Sequence, residues 1–225
     1  MIRSCFGLLL IIASLPAIGS EPEFSVDVMS VLSKAGCNLG TCHGNLNGKG
    51  GFKLSLRGQD PWFDYSSLTF ESRGRRVNRT APDLSLFLQK ATGSVPHRGG
   101  VRFDKQSAEF ELLMQWLEAG AKGPSETSPE VVRLDVTPSR AIVVAPSDDL
   151  QVRVNAVFSD GTTRDVTERA CYELANLKAA VDRGGRVSRK KFGETTLIVR
   201  YLQQQVPVPI AFTEARPDYR WNDTP

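Results

Sequence analysis

Hydrophobic spacing changes period once along this chain, and that change limits what the chain can fold into. Up to about residue 123, apolar residues recur at helical spacing. Phe24, Val28, Val31 and Leu32 share one helical face that is expected to stop at Ala35-Gly36. Ser107 stands where it can cap a second helix with Phe110, Leu113, Met114 and Leu117 on one stripe, Trp116 beside it and Gly120 ending it. Between these, Pro82 to Lys90 reads as a helix with Leu84, Phe87 and Leu88 inward, and the alternation of Phe52, Leu54 and Leu56 predicts a short strand. From about Val131 the period is two. Leu150–Phe158, Thr196–Tyr201 and Val206–Phe212 read as strands, with turns at Asp160-Gly161, Gly184-Gly185 and Gly193. No amphipathic helix interrupts them, so an antiparallel sandwich is expected.

The expected organisation follows. Residues 1–20 form a leader, 24–123 a mainly-α domain with a short β insertion, 124–130 a linker, 131–215 an all-β domain and 216–225 a C-terminal tail. The linker, Gly123-Pro-Ser-Glu-Thr-Ser-Pro129, is rich in turn-formers and lacks apolar side chains. The chain has 225 residues, of which 40% are hydrophobic and 24% charged, enough for two cores and unlike a disordered or disulfide-dense chain. In the leader, Arg3 precedes the apolar run Phe6–Leu15, and Ala17-Ile18-Gly19 resembles a cleavage site. The run is too short to span a bilayer. The expectation is an exported protein, periplasmic or at the cell surface, with no membrane span once the leader is removed. The mature chain would keep Cys37, Cys42 and Cys171, the last a lone thiol that reads as a small buried hydrophobe.

A net charge of +3 is too mild to point to nucleic acid. The excess lies in the first half, where residues 24–124 hold 13 Lys/Arg against 9 Asp/Glu; residues 125–225 hold 14 of each. Much of it comes from Arg73, Arg75, Arg76 and Arg79, which read either as a solvated loop or as a surface for an acidic partner or the carboxylates of a cofactor. The scarcest residue is histidine. His43 and His97 are the only two, so imidazole chemistry has two addresses and no Ser-His-Asp set can form elsewhere. Asp148-Asp149 reads as a solvated turn.

The strongest local signal is Cys37-Asn-Leu-Gly-Thr-Cys42-His43. Two thiols followed directly by a histidine suit a haem held by thioethers, with the adjacent imidazole directed at the iron. Four residues separate these cysteines where two are usual, so the loop must bulge, and Gly40 permits the turn. A Cys37–Cys42 disulfide, a zinc site with His43 and His97, and unpaired core thiols stay open beside it. The glycine-rich Gly44–Gly51 lacks both the spacing and the Ser/Thr of a phosphate loop.

Four words in the first half carry a resemblance: Ala35-Gly-Cys-Asn-Leu-Gly-Thr-Cys-His-Gly44, Gly50-Gly-Phe-Lys-Leu-Ser-Leu-Arg-Gly-Gln-Asp-Pro61, Val95-Pro-His-Arg-Gly-Gly100 and Trp116-Leu-Glu-Ala-Gly-Ala121. Together they resemble the planctomycete-type cytochrome c domain, in the variant with four residues between the haem cysteines. The resemblance implies a cytochrome c-like domain over 24–123 with one covalent haem c. Cys37 and Cys42 take the thioether positions and His43 the proximal iron position. His97 falls where related domains carry an iron-ligating Met and is the implied distal ligand. Met114 is its runner-up, although it stands on the apolar stripe; a surface-loop role for His97 also stays open. In the second half, Leu134-Asp-Val-Thr-Pro138, Val157-Phe-Ser-Asp-Gly-Thr-Thr-Arg-Asp-Val-Thr167 and Val181-Asp-Arg-Gly-Gly-Arg-Val187 resemble the bacterial Ig-like domain, group 2.

The expectation is an electron-transfer protein, not an enzyme. It would carry one bis-His haem, with the Ig-like module as spacer or docking domain and an unidentified redox protein as partner. Two alternatives belong to other classes: a haem-free cell-surface interaction module closed by a Cys37–Cys42 disulfide, and a five-coordinate haem sensor or enzyme.

Overall fold

The computed structural model describes residues 21–216. The expected leader at 1–20 and the tail beyond residue 216, with Trp221, lie outside the described residues. The first half starts as a π turn, Phe24–Val28, opened by the Glu23 carboxylate, which accepts from the Val26 N–H at 2.9 Å. It runs into α1 (Met29–Lys34), and Gly36 at φ 77° lets the chain leave the helix in the left-handed region. α2 (Pro61–Thr69), α3 (Leu86–Ala91) and α4 (Ala108–Glu118) follow. The Ser107 hydroxyl caps α4 by accepting from the Phe110 N–H at 3.2 Å. Phe24 meets Tyr65 edge-on at 5.2 Å and Trp116 at 5.5 Å, and the fully buried indole donates to Lys122 O at 2.8 Å.

The expected fold class needs correction. Among the described residues there are ten strands but only four α-helices, of 6, 9, 6 and 11 residues, so the chain is strand-rich and the first half is not a mainly-α domain. Most of it is turn and loop. Gly40, Gly44, Gly48, Gly50 and Gly51 keep the stretch after α1 from continuing as helix. The β insertion is also absent. Phe52 makes a single bridge to Lys49, and Leu56–Gly58 is a 3-10 turn. Among the described residues no strand lies beside this segment, so its donors go elsewhere: Leu54 N–H to His43 O at 2.8 Å, Ser55 N–H to the Asp64 carboxylate. Pro82–Lys90 breaks at Ser85 into a 3-10 turn and α3.

The second half contains β1 (Val131–Thr137), β2 (Ala141–Val144), β3 (Asp149–Gln151), β4 (Arg153–Phe158), β5 (Thr163–Asp165), β6 (Cys171–Leu174), β7 (Ala179–Val181), β8 (Arg186–Arg189), β9 (Gly193–Tyr201) and β10 (Gln204–Thr213). They form three sheets, β1-β4-β5, β2-β10-β9-β6 and β3-β8-β7. The expected antiparallel strand arrangement is corrected as well: β2 runs parallel to β10, pairing Ala141–Val144 with Ile210–Thr213. The run Leu150–Phe158 splits at Val152 because β3 pairs with β8 whereas β4 pairs with β1 and β5. Asp149 starts β3 and meets Arg186 at 2.5 Å, so it is not a free turn residue. Pro207 and Pro209 are tolerated in β10 because β2 reaches it only from Ile210 onward, leaving their donor-less side without a strand neighbour.

Charged contacts join the halves. Asp27 pairs with Arg169 at 2.6 Å and Glu109 with Arg183 at 2.7 Å. Lys34, the last residue of α1, donates to Ala170 O and Arg183 O and stands 4.9 Å over the Tyr172 ring. This contact fixes α1 three residues before Cys37. No helix among the described residues is long and apolar enough to cross a membrane.

Candidate functional site

The turn that ends α1 delivers Cys37, and local bonds shape the loop behind it. Cys42 N–H donates to Leu39 O at 2.9 Å, and His43 N–H donates to Cys37 O at 3.0 Å. Both cysteines and His43 face a cavity of about 720 Å³. Across it stands His97, carried by the 95–100 loop after α3. The two imidazole planes lie 7° from parallel with centroids 6.4 Å apart. Each ring uses Nδ1 on a backbone carbonyl: His43 on Phe52 O and His97 on Gly100 O, both at 2.9 Å. A carbonyl accepts only, so Nδ1 carries a proton, and in the neutral imidazole Nε2 then keeps a lone pair. That tautomer is the one in which a metal-ligating histidine is normally oriented. Gly99 leaves room for the His97 ring, since a Cβ there would lie 2.8 Å from Cε1.

The walls are apolar, formed by Leu32, Phe52, Leu68, Leu86, Phe87 and Phe103. Lys49, Arg75, Arg76, Lys90, Arg98 and Arg102 bring positive charge to the same cavity, and among the described residues none that lines it is acidic. An apolar body bearing acidic groups fits this distribution. The arginine cluster divides. Arg75 reaches the cavity, whereas Arg79 donates to Gly120 O at 3.2 Å. Buried Arg76 donates to Ser67 O at 2.7 Å and Gly51 O at 2.8 Å, and stacks 4.5 Å from the Phe52 ring. It is therefore a clamp on the Phe52 turn, which holds His43, and not a solvated charge.

Electrostatics favour neutral, uncharged donors. Burial lowers the His43 imidazole below its ordinary value, against the carbonyl bond from Phe52. Burial also pushes the Cys37 thiol up to about 11, with Arg102 pulling the other way. Cys37 and Cys42 are free thiols in this structure. No group of three or more His, Cys, Asp or Glu among the described residues is placed to hold a metal ion. Met114 lies elsewhere, lining a separate surface recess with Lys105, Ser107 and Phe110, and is not among the residues that line the histidine cavity. Cys171 is half-buried on β6, its thiol raised by burial.

No protein-family model matches the chain. No curated protein matches it either. Solved structures similar to part of it include these two. One is a surface layer protein, SbsC (domains 1–6), at 18% identity and a TM-score of 0.28, covering 40% of this chain and 14% of that one. The other is the PKD domain (329–428) of human KIAA0319, at 15% identity and a TM-score of 0.26, covering 45% of this chain and 99% of that domain.

Sequence reasoning found the cysteines and both histidines but not what sets their orientation. Phe52, Gly99, Arg76 and Arg102 had no signal in spacing, because they act through carbonyl bonds and clearance that only the folded loops create. α2 was also missed, although Asp60-Pro61 is a cap followed by a first-turn proline.

Proposed function

We propose that this is an exported c-type haem protein that transfers electrons. One haem would be joined through Cys37 and Cys42 and ligated by His43 and His97, with the strand-rich half serving as spacer or docking module. The ring pair carries the reading. Two metal–nitrogen bonds of about 2.0 Å, plus roughly 1.1 Å from each nitrogen to its ring centre, would separate two imidazole centroids on opposite sides of one ion by about 6.2 Å. The observed separation is 6.4 Å. A cavity lined by two thiols, apolar walls and basic groups agrees in chemistry with an apolar macrocycle bearing carboxylates.

When bound, haem supplies a one-electron couple, and two imidazoles leave its potential lower than a Met ligand does. The chain's own work is to orient His43 and His97 through Phe52 O and Gly100 O. It also excludes water with Leu32, Leu68 and Phe103, and the cavity's basic side chains receive the acidic groups. With His43 and His97 both holding the iron, no coordination position would be left for a substrate, which favours electron transfer over catalysis.

The full chain, expressed with haem-attachment machinery, is to be examined by intact mass and pyridine haemochrome spectrum. A mass raised by one haem with a low-spin ferric spectrum is expected. A haem-free chain whose mass is lowered by two hydrogens would overturn the reading in favour of the disulfide-closed interaction module. Ready carbon monoxide binding by the ferrous form would favour the five-coordinate alternative.

A further inference from the structure

The loops that carry His43 and His97 meet at one guanidinium. Arg102 Nε donates to Ala35 O at 2.6 Å and Nη2 donates to the same carbonyl, while Nη1 donates to Gly99 O at 3.1 Å. Ala35 stands two residues before Cys37, and Cys37 O in turn holds the His43 N–H at 3.0 Å. Gly99 stands two residues after His97. The arginine has its own backbone anchor, since its N–H donates to Ala91 O at 2.7 Å, at the end of α3. Gly36 leaves space for it: a Cβ at that position would come within 2.6 Å of Nη2. Among the described residues Arg102 forms no ion pair with a carboxylate, so its directed bonds serve the two loops.

We propose that Arg102 is the positioning residue that sets the separation and parallelism of His43 and His97. This rests on reading those histidines as ligands of one haem iron. The rigid planar fork reaches both carbonyls at once, which a lysine ammonium on a flexible stem does not reproduce. Removing it frees the His97 loop while leaving the cysteines, and therefore covalent attachment, in place. The expected failure is thus specific: haem stays bound but loses its second imidazole.

The test uses the full haem-loaded chain with Arg102→Lys, Arg102→Ala and, as a control, Arg133→Ala on the exposed face of β1. Arg102→Ala should keep covalent haem by mass, shift the ferric spectrum from low spin toward high spin, and recover low spin when free imidazole is added. Arg102→Lys should fall between it and wild type, and Arg133→Ala should match wild type. A low-spin, imidazole-insensitive spectrum in Arg102→Ala overturns the proposal; if that variant does not fold, a wild-type spectrum in Arg102→Lys overturns it. In the haem-free chain, hydrogen exchange at the Gly100 amide, which donates to His97 O, should become about tenfold faster in Arg102→Ala. Unchanged exchange there overturns the strut whether or not the chain takes haem. Failure of the wild-type chain to take haem instead overturns the ligand reading, and the exchange measurement then reads the strut alone.

Discussion

His43 and His97 face one cavity with their rings 7° from parallel and 6.4 Å apart, each fixed by a 2.9 Å bond from Nδ1 to a backbone carbonyl. On the proposed haem reading, replacing His97 by Ala in the haem-loaded protein should convert a low-spin ferric spectrum to high spin and let the ferrous form bind carbon monoxide. Met114→Leu should change neither, because Met114 lies outside the cavity. Optical spectra of the two variants decide it, and a low-spin His97→Ala protein contradicts the assignment.

Gly99→Ala tests clearance without touching a ligand. The new methyl would stand 2.8 Å from His97 Cε1, so the ring must move. Overpacking of this kind costs about 1–3 kcal/mol. The expected result is a modest fall in thermal stability together with a high-spin component in the haem-loaded protein. A spectrum identical to wild type would show that the ring has room to yield.

Asp64 gives the fold a pH dependence of known sign. Its carboxyl is fully buried and accepts from Ser55 Oγ at 2.6 Å, and burial raises it from 3.8 to about 6. The folded state thus holds this proton more tightly than the unfolded chain does. The resulting stabilisation is complete below about pH 4 and is lost as pH rises through about 6, a change of about 3 kcal/mol. Asp64→Asn should remove that slope, so its melting temperature should gain on wild type between pH 4 and pH 7. Parallel melting curves across that range would contradict the assignment.

Lys34 should couple the two halves. Its ammonium donates to Ala170 O and Arg183 O, and burial lowers it below the ordinary lysine range. Lys34→Ala removes charged hydrogen bonds worth about 1.5–3 kcal/mol each. Calorimetry should then resolve melting into two transitions, where wild type shows one. The exposed Arg133–Asp135 pair, by contrast, should contribute little when removed.

Much of the chain was legible in local pattern. The stop of α1 at Gly36, the Ser107 cap of α4 and the strands around Thr196–Tyr201 and Val206–Phe212 all follow from period, caps and turn residues. What failed did so where local pattern met a missing or unexpected partner. Phe52, Leu54 and Leu56 alternate as a strand should, yet no neighbouring strand offers them a ladder. Dense glycines shortened the helices, and a long crossover turned β2 parallel to β10. Periodicity describes which face is buried, not which strand lies beside it.

The same division runs through the site. Residue order alone placed two thiols and an imidazole together and, by scarcity, made His97 the only other histidine. The tertiary structure decided the rest: that His97 crosses the cavity to His43, that Met114 does not, and that Arg76 and Arg102 hold the loops from behind. Adjacent residues are bound by covalent geometry, so their proximity can be read directly. Residues 54 positions apart are joined only by loop backbone bonds, clearance at Gly99 and a guanidinium shared between two carbonyls, and these exist only once the chain has folded.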